Sequence, residues 1–311
     1  MTGPLAGIDV GGTSIKIGLC DTVGSVRARH ELATAPQDGP DVVLDRVAVA
    51  VRSLAAGCGP LGACGVGVPG PLDPARRTLA RANHLPGWSD VPIPAMLAER
   101  LDVPVVLEND ANCAAWAESR AGVGRGAASL VLVTLGTGVG GGIVLDRRLW
   151  LGAAGAAGAL GHLVVDRAGP RCPCGQTGCL EQYASATAVA RRAGVATAEE
   201  AFARAARGEA AAVEAVRTAC DALAVALADV IHTLQPHVVA LGGGMSAAGD
   251  ALLVPVREGV LRRVRAIWLE RTRVERAALG TDAGWIGAAL WAECLTHEGR
   301  GAAGATPAVH L

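Results

Sequence analysis

Lysine and aromatic side chains are scarce in this sequence. Of 311 residues only eight are aromatic, and among the 28 basic residues Lys16 is the only lysine. Alanine and glycine are abundant instead, with 62 and 42 residues. A bias towards GC-rich codons accounts for these features together. The shortage of lysine therefore indicates nothing about function.

An excess of positive charge is also absent. The 28 basic residues are balanced by 29 acidic ones, the formal net charge is −1, and neither sign forms a long run. Proteins that bind phosphate backbones normally carry a net positive surface. Nucleic acid is therefore not an expected partner.

Long hydrophobic runs are missing as well. No stretch of about 18 apolar residues lacks a glycine or a charge, and Met1 leads into a strand-like run without a basic leader segment. We therefore expect a cytoplasmic protein with no membrane partner. With 51% hydrophobic and 18% charged residues the chain is long enough for two domains or one large α/β unit.

The hydrophobic pattern predicts strands and helices in alternation. Both halves open with an apolar strand, a glycine-rich turn and a returning strand, first at 5–19 and again at 130–145, with the second turn at 136–142. This similarity predicts two structurally related α/β halves. Further strands are predicted at 66–68, 103–107 and 238–241, helices at 41–54, 111–121, 209–234 and 284–295, and a frayed tail at 299–311.

Three glycine-rich turns follow apolar strands, at residues 9–13, 135–142 and 241–245. Glycine lets the backbone approach a ligand and direct its amides at phosphate oxygens, and Thr13 and Thr137 add hydroxyl groups. Each turn alone is equally typical of a hairpin without a ligand. None has the Walker spacing or a dinucleotide-binding fingerprint. A nucleotide held by several separate loops is the favoured interpretation.

Glu108, Asn109 and Asp110 stand where a predicted strand gives way to a helix. At such a position carboxylates are expected to face a cleft at the carboxyl end of a sheet. Asp110 would accept a proton from a substrate hydroxyl that Asn109 orients. Alternatively Asp110 only caps the helix, which on spacing alone is the commoner role.

A cysteine-rich segment carries the most specific local pattern. His162 is followed by Cys172, Cys174 and Cys179, a spacing that matches a closed tetrahedral zinc site with a structural role. The alternative is a chance cluster of buried thiols. Glu181 follows the last cysteine by two residues, so a bound zinc ion would fix where Glu181 and the free face of His162 point.

Together these segments resemble the ROK family (repressors, open reading frames and sugar kinases) of the actin-like ATPase and hexokinase class. The resemblance implies two actin-like, ribonuclease H-like α/β domains around a central cleft. Residues 1–115 would form the N-terminal domain and residues 116–295 the C-terminal domain with a zinc loop at 162–181, and a helix at 296–311 would return to the first domain. The matching segments are Asp9-Val-Gly-Gly-Thr13, Gly67-Val-Pro-Gly70, Glu108-Asn-Asp-Ala-Asn112, Leu135-Gly-Thr-Gly-Val-Gly140, Gly161-His162, Cys172 to Glu181 and Leu241-Gly-Gly-Gly244.

The resemblance also implies roles for individual residues. Asp110 resembles the general base that takes the proton from the primary hydroxyl at position 6 of a hexose. ATP, Mg²⁺ and a structural Zn²⁺ held by His162, Cys172, Cys174 and Cys179 are the implied cofactors, and a homodimer or homotetramer the implied assembly. The substrate side would comprise Gly70, Asn83, Asn109, Asp110, His162 and Glu181. The nucleotide side would comprise Asp9 near the magnesium ion, with Gly11, Gly12, Thr13, Thr137, Gly138, Gly242, Gly243 and Gly244.

One position departs from the family pattern. Sugar kinases of the family have Gly-Glu-x-Gly-His where this chain has Ala159 in place of the glutamate. That glutamate would bind the hydroxyls at positions 1 and 2, and its loss costs about 2 to 3 kcal/mol towards a substrate that presents them. We therefore expect a modified hexose, either an amino sugar or a carbasugar-like cyclitol. Because an amine would favour a carboxylate, a neutral cyclitol is preferred.

Other functions stay open on the sequence. A catalytically weak sugar-binding protein is compatible with Ala159, and the family also contains sugar-sensing repressors. Those repressors carry a helix-turn-helix domain before the Asp-x-Gly-Gly segment, for which Asp9 leaves no room. Lys16, three residues after Thr13, is expected on a solvated hairpin face, with a phosphate contact as the alternative.

Overall fold

The structure, a computed structural model, describes residues 3–82 and 85–301. Its strands are β1 Leu5–Val10, β2 Ser14–Cys20, β3 Val26–Ala33, β4 Ala63–Val68, β5 Leu79–Arg81, β6 Ser89–Val91, β7 Val105–Asn109, β8 Leu130–Leu135, β9 Val139–Leu145, β10 Arg148–Leu149, β11 Val238–Gly242 and β12 Arg273–Arg276. Its α-helices are α1 Pro40–Ala55, α2 Ile93–Leu101, α3 Asp110–Arg120, α4 Glu181–Ala184, α5 Ala186–Ala193, α6 Ala198–Ala206, α7 Ala210–Leu234, α8 Asp250–Arg263, α9 Ala266–Leu269 and α10 Ala283–Gly301.

Two five-stranded sheets share one strand order. In the first sheet, β3-β2-β1-β4-β7, the strands β1, β4 and β7 are parallel and β2 is antiparallel to both of its neighbours. In the second, β10-β9-β8-β11-β12, the strands β8, β11 and β12 are parallel and β9 is antiparallel to β8. A hairpin followed by parallel strands thus occurs twice. The predicted α/β class and the two related halves are confirmed.

Backbone contacts group the described residues into two units. One comprises the residues up to Ala121, Leu149–Ala157 and the residues from Asp282 onwards, and it contains the first sheet. The other comprises Gly122–Arg148 and Gly158–Thr281. The domain limits expected from the sequence, 1–115 and 116–295, stay a prediction.

Two glycines allow α10 to lie directly on the first sheet. Gly7 and Gly65 are opposite each other on β1 and β4. A Cβ at Gly7 would overlap the carbonyl group of Trp285, and a Cβ at Gly65 that of Ala288. The absence of a side chain at these two positions therefore brings the first turn of α10 close to the carboxyl end of β1. The apolar face of α1, spaced as the sequence predicts, joins the same buried cluster as the first hairpin.

The second glycine-rich turn is shorter than predicted. It was expected at 136–142, but β9 already begins at Val139 and includes Gly140, Gly141 and Gly142. The reason is packing: a Cβ at Gly141 would overlap the side chain of Leu160 and lie 2.8 Å from the carbonyl oxygen of Gly158. Glycine at this position serves close approach within a strand, which local sequence cannot distinguish from a turn.

At the C-terminus, α10 extends through Gly301 and so includes the first residues of the predicted tail 299–311. Residues 302–311 of that tail and of the predicted helix 296–311 lie outside the described residues, as does the predicted sugar contact Asn83. Across the described segments, no helix has both the length and the apolar character needed to cross a bilayer.

Candidate active site

The helix α3 begins at Asp110 and is capped by the preceding residue. Asn109 has an extended backbone, and its Oδ1 accepts hydrogen bonds from the backbone N–H groups of Ala111 at 3.0 Å and Asn112 at 3.3 Å. Oδ1 of Asp110 accepts from Ala111 N–H at 2.8 Å. The cap is therefore Asn109, and Asp110 stands in the first turn, where the helix dipole favours the ionised carboxylate.

Glu108 differs from the sequence expectation. Its side chain is 1% exposed, so its carboxylate points into the protein rather than towards a cleft. Oε1 accepts hydrogen bonds from Arg76 Nη1 at 2.6 Å, from Asn109 N–H at 2.8 Å and from Asn112 Nδ2 at 2.9 Å. Burial raises the pKa of Glu108 above its ordinary value, and Arg76 opposes that shift. Of the two predicted carboxylates at this corner, Glu108 is buried and Asp110 is only partly buried.

Asp9 lies at the end of β1 beside the first turn of α10. A Cβ at Gly284 would clash with its carboxylate, so glycine is required there for the two segments to meet. Burial, reinforced by the negative charge of Asp110 and opposed by Lys16, raises the pKa of Asp9 to about 7. Two carboxylates that disfavour each other's charge are a fit for a divalent cation, which relieves both.

Lys16 lies directly opposite Asp9 in the β1–β2 ladder, so both side chains project from the same face of the sheet. The sequence favoured a solvated lysine here, with a phosphate contact as the alternative. Lys16 is half-buried, and its charge lowers the pKa of Asp9. The single lysine of the sequence therefore interacts electrostatically with Asp9.

The turn after β1 is closed and is supported from β3. Gly11 N–H donates to the carbonyl of Ser14 at 3.0 Å, and the hydroxyl of the buried Thr34 donates to the carbonyl of Gly11 at 2.7 Å. Thr13, whose side chain is exposed, accepts at its carbonyl from Thr34 N–H. The predicted nucleotide turn is thus held by hydrogen bonds and exposes the side chain of Thr13. Thr34 was not found from the sequence, because it carries no motif of its own.

Gly70 follows β4 on the same edge of the first sheet. Its φ of 107° lies in the region that favours glycine, and a Cβ there would overlap the carbonyl of Arg81. Because β1, β4 and β7 are parallel, the segments that follow them meet at one edge. The predicted residues Asp9, Gly11, Gly70, Asn109 and Asp110 are therefore brought to one edge of the first sheet.

In the other unit, two predicted nucleotide loops are neighbours. Gly136–Gly138 follows β8 and Gly242–Gly244 ends and follows the adjacent parallel strand β11. A Cβ at Gly243, whose φ is 78°, would lie 2.5 Å from the backbone nitrogen and oxygen of Leu135. Only glycine permits this contact between the loops. Thr137 and Gly244 are exposed, so the pair offers backbone amides and a hydroxyl to a ligand.

Glu181 contacts the first of these loops. Its Oε2 accepts a hydrogen bond from Val139 N–H at 2.9 Å, and it lies against Gly138, where a Cβ would clash with it. Two further bonds join the same segments, from Ala186 N–H to the carbonyl of Gly136 at 2.8 Å and from the Thr187 hydroxyl to the carbonyl of Thr137 at 2.9 Å. The sequence predicted Glu181 as a sugar contact. It did not predict the hydrogen bond from Val139 N–H, beside the predicted nucleotide loop.

The four predicted zinc ligands form one cluster. The ligand atoms of His162, Cys172, Cys174 and Cys179 all lie within 4.8 Å of one another. His162 Nδ1 and Cys172 Sγ are 3.8 Å apart, and the Sγ atoms of Cys174 and Cys179 are 3.6 Å apart. Ligands at about 2.0 to 2.3 Å from a tetrahedral zinc ion are separated by about 3.5 to 3.8 Å. The residues therefore fit a closed zinc site without an open position.

Side chains beyond these four ligands support the cluster. Gln182 Nε2 lies 3.8 Å from Cys172 Sγ, and the Tyr183 hydroxyl donates to Asp166 Oδ2 at 2.8 Å within the cysteine loop. A hydrogen bond from the backbone of Gln176 lowers the pKa of the Cys174 thiol, whereas burial raises the pKa of the Cys179 thiol to about 12. Consecutive residues of α4 thus contact Val139 beside the predicted nucleotide loop, the predicted zinc ligand Cys172, and Asp166 in the predicted zinc loop.

Ala159 immediately precedes the short 3-10 turn Leu160–His162. It is exposed, and its methyl group provides no hydrogen-bonding atom at the place where the resemblance expects a carboxylate. His162 is exposed as well. The segment therefore presents one imidazole and no acidic side chain.

Comparisons with known proteins agree over nearly the whole chain. The sequence profile of the ROK family matches residues 5–294. A glucokinase of Halalkalibacterium halodurans is 36% identical over 305 residues, which cover 90% of this chain and 92% of that protein. The crystal structure of a ROK hexokinase from Thermus thermophilus matches with a TM-score of 0.83 at 35% identity. The match covers 95% of this chain and 99% of the hexokinase chain. A ROK family glucokinase from Streptomyces griseus, crystallised with glucose and AMPPNP, matches with a TM-score of 0.81 at 33% identity. This match covers 94% of the present chain and 100% of the glucokinase chain.

Proposed function

The chain belongs to the ROK family, and on this premise we propose that it is an ATP-dependent kinase for the primary hydroxyl of a hexose or hexose-like substrate. The observation that carries the proposal is the corner between β7 and α3. Asn109 caps the helix, which leaves Asp110 in the first turn at the sheet edge that also carries Asp9 and the Gly11 turn. Glucokinases that resemble the chain over most of its length support the same activity.

In the proposed reaction Asp110 accepts the proton of the substrate's primary hydroxyl. The hydroxyl oxygen then forms a bond to the γ-phosphorus of ATP while the bond from that phosphorus to the β,γ-bridging oxygen breaks, and ADP leaves. Such a transfer depends on positioning and charge neutralisation, with little covalent work for the protein. Asn109, held by its cap bonds, would present its amide group to a neighbouring hydroxyl.

The remaining substrate contacts are assigned by the same proposal. Gly70, Asn83 and His162 would contact the sugar, and Glu181 would use Oε1 for a sugar hydroxyl, since Oε2 accepts from Val139 N–H. The Gly11–Thr13 turn, Thr137, Gly138 and the three glycines from Gly242 would hold the nucleotide. Among them Thr13, Thr137, Gly243 and Gly244 are exposed, and their hydroxyl and backbone amide groups suit phosphate oxygens.

Two metal ions belong to the proposal. Mg²⁺ bound with ATP neutralises phosphate charge, and Asp9 is the residue that would hold it, directly or through water. Zn²⁺ would be held by His162, Cys172, Cys174 and Cys179, with Gln182 supporting a thiolate ligand. A closed four-ligand site gives the zinc ion a structural role.

The substrate we propose is a modified hexose, with a neutral carbasugar-like cyclitol preferred over an amino sugar. Support comes from Ala159, which is exposed and has no polar atom where a glutamate would bind hydroxyls at positions 1 and 2. A substrate without the usual anomeric hydroxyl loses nothing at this position. An amine there would be better served by the missing carboxylate.

Ala159 also motivates one alternative, a catalytically weak sugar-binding protein or a sugar-sensing regulator. In that case sugars bind without productive transfer. The kinase proposal further includes a homodimer or homotetramer, supported by the family resemblance alone, and a cytoplasmic setting, where thiols stay reduced and free for zinc.

An assay of ADP release across a panel of hexoses, amino sugars and cyclitols tests the proposal. We expect turnover with at least one cyclitol or modified hexose, with a higher kcat/KM than for glucose. Binding of these compounds measured by calorimetry without ADP release from any of them would overturn the kinase and favour the sugar-binding alternative. Sedimentation velocity tests the oligomer.

A further inference from the structure

We propose that Arg76 is a positioning residue which, through Glu108, holds the corner that carries Asp110 and at the same time ties down the segment Leu149–Ala157. This inference rests on the proposed kinase function only for its kinetic consequence. The geometry itself lies entirely within one contact unit.

Arg76 lies in a turn that is held by the side chain of Asp73. Oδ1 of Asp73 accepts from the backbone N–H groups of Arg77 and Thr78, Oδ2 accepts from Ala75 N–H at 3.1 Å, and Arg76 N–H donates to the Asp73 carbonyl at 2.9 Å. These bonds hold Arg76 at a φ of 55°, an uncommon value for a residue with a side chain. The turn therefore fixes the direction in which the Arg76 side chain leaves the backbone.

The guanidinium group joins two other segments. Nη1 donates to Glu108 Oε1 at 2.6 Å, and Nη2 donates to the carbonyl of Gly155 at 3.3 Å. The Arg76 side chain is 14% exposed and that of Glu108 1%, so water screens this ion pair little. Gly152 and Gly155 have φ values of 71° and 72°, and residues 152–157 are all glycine or alanine, so this part of the segment has few side chains of its own to hold it.

Glu108 transmits this constraint to the proposed base. The oxygen that binds Arg76 also accepts from Asn109 N–H and from Asn112 Nδ2, one residue before and two residues after Asp110. Oε2 of Glu108 is buried and has no hydrogen-bond partner among the described residues. A carboxylate that leaves one buried oxygen unsatisfied is a poor stabilising element, and of the three bonds at its other oxygen two hold the corner and the third joins the corner to Arg76.

Two substitutions at position 76 distinguish the effect of the arginine charge from the effect of its forked guanidinium group. Arg76→Gln removes both contacts, whereas Arg76→Lys keeps a cation for Glu108 but has no second arm for the Gly155 carbonyl. Arg77→Gln is the matched control, because Arg77 is its exposed neighbour with no hydrogen bond described for its side chain. Arg76→Lys leaves the buried charge paired, so it remains assayable where Arg76→Gln is unstable.

Hydrogen exchange of the protein provides a readout that needs no turnover. In Arg76→Gln we expect exchange about tenfold faster in peptides covering 105–116 and 149–157, relative to wild type and Arg77→Gln. In Arg76→Lys only 149–157 should exchange faster. Unchanged exchange in both segments of both variants would overturn the assignment of the contacts.

Kinetics then separate positioning from general support of the fold. With the best substrate of the panel, Arg76→Gln should lower kcat about 10- to 100-fold with the KM for ATP within about twofold of wild type, and Arg76→Lys should recover most of kcat. Faster exchange with unchanged kcat would make Arg76 merely structural and refute the positioning role. If wild type turns over no substrate, the kinase proposal fails, whereas the exchange data still decide the Arg76 contacts.

Discussion

Glu181 accepts a hydrogen bond from Val139 N–H at 2.9 Å, and this bond connects the last residue of the zinc loop 162–181 with the glycine turn after β8. Ala186 and Thr187 bond to the same turn. The proposed sugar side and nucleotide side therefore share one short segment. A change at Glu181 is expected to affect both.

Glu181→Ala should weaken nucleotide binding as well as sugar binding. Loss of the bond to Val139 N–H leaves that amide without its acceptor, which costs about 1 kcal/mol and so roughly a fivefold rise in the Kd for ATP. Calorimetry with a nonhydrolysable ATP analogue, in the absence of sugar, measures this directly. Glu199→Ala, which removes an exposed glutamate of α6, serves as the control. An unchanged nucleotide Kd would confine Glu181 to the sugar.

Asp110→Asn should abolish turnover and leave nucleotide binding intact. Asparagine keeps the shape of the side chain but cannot accept the proton, and a positioned base contributes about 10²- to 10⁴-fold. ADP release and calorimetry with the ATP analogue are the two measurements. Asp229→Asn changes an exposed aspartate of α7 and should behave as wild type. An Asp110→Asn enzyme with wild-type kcat would show that another group takes the proton.

Zinc removal should loosen the cysteine loop without exposing a reactive metal. Metal binding and folding of such a loop are coupled, so chelation should lower the thermal midpoint and accelerate proteolysis near Cys172. Gln182→Leu removes the donor to Cys172 Sγ and should weaken zinc binding about tenfold, as measured by competition with a chromogenic chelator. A zinc-free protein with wild-type melting and full activity would contradict the structural role.

The sequence contained enough information for the fold class and for much of the candidate site. Glycine turns after apolar strands predicted the repeated hairpin, and the spacing of His162, Cys172, Cys174 and Cys179 predicted a cluster that the structure assembles. These features are local or carry rare residue types. A helix cap at this corner also follows a local rule, but the sequence suggests Asp110 for that role, and the structure gives it to Asn109.

Contacts between distant segments could not be predicted in this way. Arg76 and Glu108 are 32 residues apart in sequence, and Glu181 and Val139 are 42 apart. Neither pair leaves a trace in hydrophobic periodicity, because an arginine in a turn and a glutamate at a strand end both look like surface residues. The burial of Glu108 depends on which strand neighbours β7, and that is known only once the sheet order is known.

Ala159→Glu should increase kcat/KM for glucose. The introduced carboxylate would supply bonds to hydroxyls at positions 1 and 2, worth about 2 to 3 kcal/mol, so an increase of about 30- to 150-fold is expected. The exposed Ala154, changed to glutamate, controls for added negative charge in the neighbouring segment. A glucose rate that stays the same or falls would show that the side chain at position 159 does not face the substrate.

Asp9 makes stability depend on pH in the absence of metal and nucleotide. Its folded pKa of about 7 lies above the unfolded value of 3.8, so between these values the native state keeps a proton that the unfolded state loses. The contribution of Asp9 to stability is therefore greatest below about pH 4 and is lost as the pH rises to 7, by up to about 4 kcal/mol. Asp9→Asn, which cannot ionise, should match wild type near pH 4 and become progressively more stable than wild type towards pH 7. Urea unfolding of both proteins across this range gives the difference, and parallel stability curves would show that Asp9 is ionised throughout.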